Sequence, residues 1–222
     1  MISNFKKSVP KGVMEEPPKK SPFSGYDTIE GFGTWQLDDT GCLYINGTGP
    51  MPDWSWNDGA PWKIGVIRAV YISDGVTNIG RYAFYSCFNL AKVIIPVSVT
   101  TIGAHAFGLC RSLTEVTVPG HVTYIGDSAF EQCSSLTGIN IPDSVTSLGG
   151  YAFARCVSLT HITIPDSVTD IGTGIFEKCP ALRSITMPVR FRDQDWEELR
   201  QKGGKASFEE KYGCSKNIVT FI

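Results

Sequence analysis

Seven cysteines are the first residues in this 222-residue chain whose type and spacing could do chemistry. A thiol can be a nucleophile, a metal ligand or half of a disulfide, and spacing helps to separate these roles. Five of them, Cys87, Cys110, Cys133, Cys156 and Cys179, recur every 23 residues without slippage. No C-x-x-C pair is present, so the usual zinc spacing is missing. If each cysteine occupies the same place in a stacked unit, neighbours lie about one strand spacing apart with parallel side-chain vectors. A disulfide needs convergent Cβ atoms instead. The spacing therefore predicts a column of buried free thiols, each a small hydrophobe with a weak donor. Such a ladder suits a reducing compartment, although burial would protect it elsewhere. Cys42 and Cys214 stand outside the column, and their state is open.

Other catalytic chemistry finds little support. His105, His121 and His161 are not clustered and sit at unrelated places, as surface residues do. No nucleophile elbow, phosphate-binding glycine loop or metal motif occurs. Gly31-Phe32-Gly33 lacks the third glycine of a dinucleotide site, and Asp193 with Asp195 reads as a helix start. Asn46-Gly47-Thr48 fits a glycosylation sequon, relevant only in a eukaryotic secretory pathway. The expectation is a non-enzyme with no cofactor and no metal. Recognition chemistry is better represented. Trp54, Trp56 and Trp62 fall within nine residues, flanked by Asp53 and Asp58. Rings that stack on a sugar beside carboxylates that accept from its hydroxyls could form a glycan patch. The competing reading is a cap, in which large aromatics cover an exposed core end. Trp54 and Trp56 share a face if extended, which makes them the candidates for exposure.

The elements that must position these residues follow from the same 23-residue period. It also carries Leu90, Leu113, Leu136, Leu159 and Leu182, then Phe84, Phe107, Phe130, Phe153 and Phe176. Gly80, Gly103, Gly126, Gly149 and Gly172 keep the phase, as do Pro96, Pro119, Pro142, Pro165 and Pro188. Thr114 to Val118 alternates polar and apolar, as a half-buried strand does, and Thr137 to Ile141 and Thr160 to Ile164 match it. Proline closes each strand because it has no N–H for the next ladder bond. The return piece, Ile125-Gly126-Asp127-Ser128-Ala129-Phe130, turns Ile, Ala and Phe inward, and its glycine is expected to supply a backbone angle other residues resist. One unit cannot bury its own apolar face, but stacked units can.

Leu-x-x-Val-x-Ile-Pro followed by Val-x-x-Ile-Gly-x-x-Ala-Phe-x-x-Cys resembles the BspA-like leucine-rich repeats, most clearly at 113–133 and 136–156. Upstream, Trp35-x-Leu37, Gly41-x-Leu43-x-Ile45-x-Gly47-x-Gly49, Met51-Pro52 and Ala60-Pro61-Trp62 are similar to the leading unit of bacterial members. The resemblance spans about residues 31–188. It implies a right-handed leucine-rich-repeat solenoid with a short parallel β-sheet and a mostly irregular or short-helical convex side, capped at both ends. It further implies non-catalytic protein recognition, with adhesion or host contact, at a cell surface or after secretion. The first residues carry Lys6 and Lys7 without an apolar stretch behind them and do not read as a standard export signal, which leaves a cytoplasmic or particle-associated setting open.

Four segments result: a basic Pro-rich tail at 1–28, a leading cap at 29–68, five repeats at 69–188 and a closing cap at 189–222. In the closing cap a short helix from Asp193 to Gln201 and a last strand from Ile218 to Ile222 are expected. Hydrophobic residues make up 42% of the chain, enough for a packed core and against global disorder. A net charge of -2 argues against nucleic acid as partner. No apolar run is long enough to span a membrane as a helix.

Three candidate surfaces remain. The sheet face would present Lys92, Glu115, Thr117, Asn140, His161, Thr163 and Thr186 to a protein partner. The Trp54 and Trp56 patch, with Asp53 and Asp58, would take a glycan. The tail, through Lys6, Lys7, Lys11, Lys19 and Lys20, would tether a scaffold or particle-associated protein. The sequence does not set the oligomeric state.

Overall fold

Each 23-residue unit folds as one coil with three sides, and hydrogen bonds join coil to coil on all three. The structure is a computed structural model that describes residues 25–62, 64–192 and 207–222. The amino-terminal strands are β1 (Gly25–Ile29), β2 (Gly33–Leu37), β3 (Cys42–Gly47) and β4 (Gly49–Pro50). The coils contribute β5 (Ala69–Ile72), β6 (Val76–Ile79), β7 (Lys92–Ile94), β8 (Thr101–Ile102), β9 (Tyr124–Ile125), β10 (Ser147–Leu148), β11 (His161–Thr163), β12 (Asp170–Ile171) and β13 (Ser184–Met187). Helix α1 (Phe208–Tyr212) and β14 (Val219–Phe221) close the chain.

The first side holds the order β1-β2-β3-β5-β7 and, farther along, β11-β13-β14. Single bridges Thr117–Asn140 and Asn140–Thr163 carry the parallel register into β11. The second side is a six-stranded sheet, β12-β10-β9-β8-β6-β4. The return, expected to be irregular or short-helical, carries this second sheet and then a stack of turns. Its strands from β8 onward are two residues long, too short to show a two-residue alternation. From Pro96 to Pro188 a proline begins the turn that leaves the first side, for the Pro96 and Pro119 carbonyls accept from Val99 N and Val122 N at 3.1 Å, and Ser73 takes this place after β5.

The third side is a stack of turns. Phe84 N donates to Ala106 O and Phe107 N to Ala129 O, each at 2.8 Å. Nine non-glycine residues here have positive φ, at two repeat positions: Tyr82, His105, Ser128 and Tyr151, then Ser86, Leu109, Gln132, Arg155 and Lys178. A left-handed backbone costs such residues about 1–2 kcal/mol each. Eight of the nine N–H groups donate to the next coil, as in His105 N to Asp127 O at 2.8 Å, which offsets that cost.

The repeating glycines serve a different purpose from the one expected. Gly80, Gly103, Gly126, Gly149 and Gly172 are absent from the positive-φ set. A Cβ on Gly126 would lie 2.6 Å from Ala104 N, and one on Gly103 2.8 Å from Arg81 N. Close approach of stacked backbone, not an unusual angle, excludes a side chain there.

Inside the coils the phenylalanines form one stack. Ring centroids are 5.2 Å apart for Phe84–Phe107, 5.3 Å for Phe107–Phe130, 5.8 Å for Phe130–Phe153 and 6.4 Å for Phe153–Phe176. Trp62 extends this stack onto Phe84 at 5.5 Å, and Trp35 and Trp54 meet Trp62 edge-on. Trp35 and Trp62 are thus the amino-terminal lid of the core. The antiparallel strand β1 begins inside the stretch read as tail; its residues are mostly exposed, so it has no burial pattern to betray it.

At the other end α1 is capped by Ser207, whose Oγ accepts from Glu210 N at 3.1 Å, and ends at Gly213 with φ 74°. Tyr212 is buried, and its carbonyl accepts from Phe176 N at 2.9 Å. The last strand pairs in parallel with β13, as the expected carboxy-terminal strand would. The helix expected over 193–201 and the tail lysines lie outside the described residues.

Candidate functional site: the first-side sheet face

The residues pointing outward from the first-side sheet form two rows. In one, register pairs Tyr26 with Gln36, Gln36 with Tyr44, Tyr44 with Tyr71 and Tyr71 with Ile94. It resumes as Thr117, Asn140, Thr163, Thr186 and Thr220, each paired with the next. Apart from Gln36 the amino-terminal half of this row is therefore aromatic or apolar, and apart from Asn140 the carboxy-terminal half is hydroxylated. Tyr44 and Tyr71 stack at 5.2 Å, and burial pushes the Tyr44 hydroxyl up from its usual range. Thr117, Asn140 and Thr163 are exposed, and Thr186 half-buried. No side-chain hydrogen bond joins these four to one another or to any other group among the described residues. Mutual pairing along this column, which strand spacing allows, does not occur, and their donors and acceptors face solvent.

The second row carries Lys92, Glu115, Gly138, His161 and Ser184. His161 pairs in register with Ser184, and its ring lies across Gly138, where a Cβ would sit 3.4 Å from Cε1. The His161 Nδ1 is 3.0 Å from Thr160 Oγ1, which fixes the ring's tilt. A groove lined by Lys92, Ile94, Thr114, Glu115 and Thr117 marks the place where the ladder opens between β7 and Thr117. All seven residues expected on this face lie on it. Tyr44, Tyr71 and Ile94 complete it: Tyr44 precedes the repeats, whereas Tyr71 stands one 23-residue period before Ile94 and shares its phase.

The tryptophan patch is divided by the fold. Trp54 is half-buried against Trp62 at 5.0 Å, while Trp56 is 71% exposed. Asp53 Oδ1 accepts from Arg81 N at 2.7 Å and Asp58 Oδ2 from Ser55 Oγ at 2.7 Å, so both carboxylates hold loop backbone or its neighbours. The face shared by Trp54 and Trp56 in an extended chain is not formed, because the chain turns at residues 56–58.

The thiol column is internal. Cys87, Cys110, Cys133 and Cys156 are fully buried, and burial holds each thiol far above its usual pKa. Cys110 Sγ donates to Phe84 O and Cys133 Sγ to Phe107 O, both at 3.2 Å. All seven cysteines are free. Half-buried Cys179 and Cys214 line one cleft, with thiols pushed up by burial to about 11 and about 12. The histidines remain apart: His105 stacks on Tyr82 at 4.6 Å on the third side, and burial lowers its pKa.

Residues 66–194 match the family model described as BspA type leucine rich repeat region, in six copies. The cysteine phase itself ends at Cys179, for Lys202 stands at the next position. A leucine-rich repeat protein of Eubacterium ventriosum is 32% identical, with TM-score 0.62, covering 74% of this chain and 44% of its own. The T. pallidum leucine rich repeat protein is 30% identical, with TM-score 0.56 and coverage of 78% and 73%. A leucine rich cell surface protein of Faecalibacterium prausnitzii is 28% identical, with TM-score 0.51 and coverage of 76% and 55%. The chain thus spans less than half the length of the Eubacterium protein. No match is found among curated proteins.

Proposed function

The chain belongs to the BspA-type leucine-rich repeat family, and from that premise we propose that it binds a protein partner through the first-side sheet face, in an adhesion or surface-contact role. The observation that carries this reading is the row of unpaired hydroxyl and amide groups at Thr117, Asn140, Thr163 and Thr186, flanked by Lys92, Glu115 and His161. A rigid sheet holds these groups in fixed register, so a complementary partner pays little ordering entropy on their side. The aromatic end at Tyr44, Tyr71 and Ile94 supplies the apolar anchor that hot spots require. No chemistry is needed, and the mechanism is shape and hydrogen-bond complementarity. Support for a surface setting comes from the Faecalibacterium relative, described as a cell surface protein.

The test is affinity capture from extracellular-matrix and cell-surface protein mixtures, comparing the intact chain with Thr117→Arg/His161→Glu/Thr163→Arg. The triple variant should keep its melting temperature within a few degrees and lose the captured partner. Undiminished capture by the folded variant would move recognition off this face.

A further inference from the structure

Where the third side meets the first, a shallow groove crosses four coils. It is lined by Arg111, Gln132, Ser134, Arg155, Val157 and Lys178. Five of these six are hydrogen-bond donors, three of them cationic, and among the described residues no carboxylate lines the groove. The nearest carboxylates among the described residues leave the cations available. Glu131 Oε1 is 4.0 Å from Arg155 Nε, the limit of an ion pair, and that contact leaves both terminal guanidinium nitrogens unengaged. Glu177 Oε1 is 3.4 Å from Lys178 Nζ, but the ammonium retains donors and the Lys178 side chain is 63% exposed. Arg111 lies 5.1 Å over the Phe88 ring, which orients the guanidinium without neutralising it. The groove is a local reversal of sign on a chain of net charge -2.

We propose that this groove binds a linear anionic polysaccharide, with its sulfate or carboxylate groups on Arg111, Arg155 and Lys178. Planar guanidinium forks match such oxyanions bidentately. Spacing favours a sugar chain over an acidic peptide. Gln132, Arg155 and Lys178 stand on successive coils, about 4.8 Å apart, and Arg111 stands two coils from Arg155. A pyranose chain advances by roughly one such step per residue. An extended peptide repeats its same-face side chains about every 6.8 Å and falls out of step within two coils. Val157 offers an apolar spot for a sugar face between the charges.

The chain's own repeats supply the variant that tests this. Gln132 holds the same left-handed position as Arg155 and Lys178, and Ser134 occupies the place of Arg111 one coil on. Arg111→Ser/Arg155→Gln/Lys178→Gln therefore removes the charge with residues the coil already accepts. The full-length protein and this variant are titrated with a heparin-derived octasaccharide, an oligogalacturonate and poly-glutamate of matched charge. One or both polysaccharides should bind the intact chain, more weakly as salt rises, and at least about tenfold more weakly in the variant. The tighter of the two identifies sulfate or carboxylate as the bound group. Absence of binding to both polysaccharides would overturn the proposal. So would equal binding by the variant, which would place the contact on other cations such as the tail lysines, and so would poly-glutamate binding as tight as the sugars. Thr117→Arg/Thr163→Arg should leave polysaccharide binding unchanged, which separates this groove from the sheet face.

Discussion

Two threonine columns run the length of the coils, and they differ in what their hydroxyls do. On the second side Thr100 Oγ1 donates to Thr77 O at 3.1 Å, Thr123 to Thr100 O at 3.3 Å, Thr146 to Thr123 O at 3.2 Å and Thr169 to Thr146 O at 3.3 Å. Each hydroxyl caps the coil before it, so the column is closed upon the solenoid. On the first side Thr117, Asn140, Thr163 and Thr186 make no such bond. Both columns are largely exposed, and both look alike in sequence. The closed column belongs to stability, and the open one is the face proposed to recognise a partner. The thiols follow the closed pattern, with Cys156 Sγ donating to Phe130 O at 3.2 Å.

Breaking the scaffold beneath both columns should have the largest effect. Phe130→Ala removes the middle ring of the stack and should cost about 3–5 kcal/mol, read by chemical denaturation. Alkaline pH probes the closed thiols. The Cys179 thiol is raised by burial to about 11 from 9.0, so the folded state keeps its proton where the unfolded state has lost it. Its contribution is whole below pH 9 and is lost as pH rises toward 11, on the order of 2 kcal/mol. Cys179→Ala should flatten the alkaline fall in stability by about that amount over this window.

The two columns can then be compared directly. Thr146→Val should lower stability by about 1 kcal/mol, since it deletes a hydrogen bond and leaves the shape. Thr163→Val should change it by less than about 0.5 kcal/mol. Equal losses at the two sites would erase the distinction. The smallest effect concerns backbone angle. Lys178 has φ 57° and is exposed, so Lys178→Gly should raise stability by up to about 1 kcal/mol, seen as a small rise in melting temperature.

The stacked core was legible because one period placed Leu113, Phe107 and Cys110 in phase, and each of these is fully buried. The open face was legible too, because alternation in Thr114 to Val118 separates Thr117 from Val116 and Val118. Three features were hidden. Two-residue strands such as Tyr124–Ile125 form a sheet only through coil-to-coil pairing, which no local pattern encodes. The left-handed positions are filled by residues such as Tyr82, Leu109 and Arg155, and glycine takes one only at Gly174, in the last coil, so no repeating glycine marks them. Trp54 turns inward to Trp62 because the loop after Met51 bends, whereas alternation alone placed it beside Trp56. The open and closed threonines share residue type and period, and only hydrogen-bond geometry distinguishes them.

Matched arginine substitutions in the two columns test the central claim most directly. Thr117→Arg/Thr163→Arg and Thr123→Arg/Thr169→Arg place equal charge and bulk on different sides of the same coils. Each is immobilised and offered the protein partner captured by the intact chain, with folding checked by circular dichroism. Loss of binding in the first pair and retention in the second is the predicted result. Retention in the first pair, or loss in both folded variants alike, would contradict recognition by the open column.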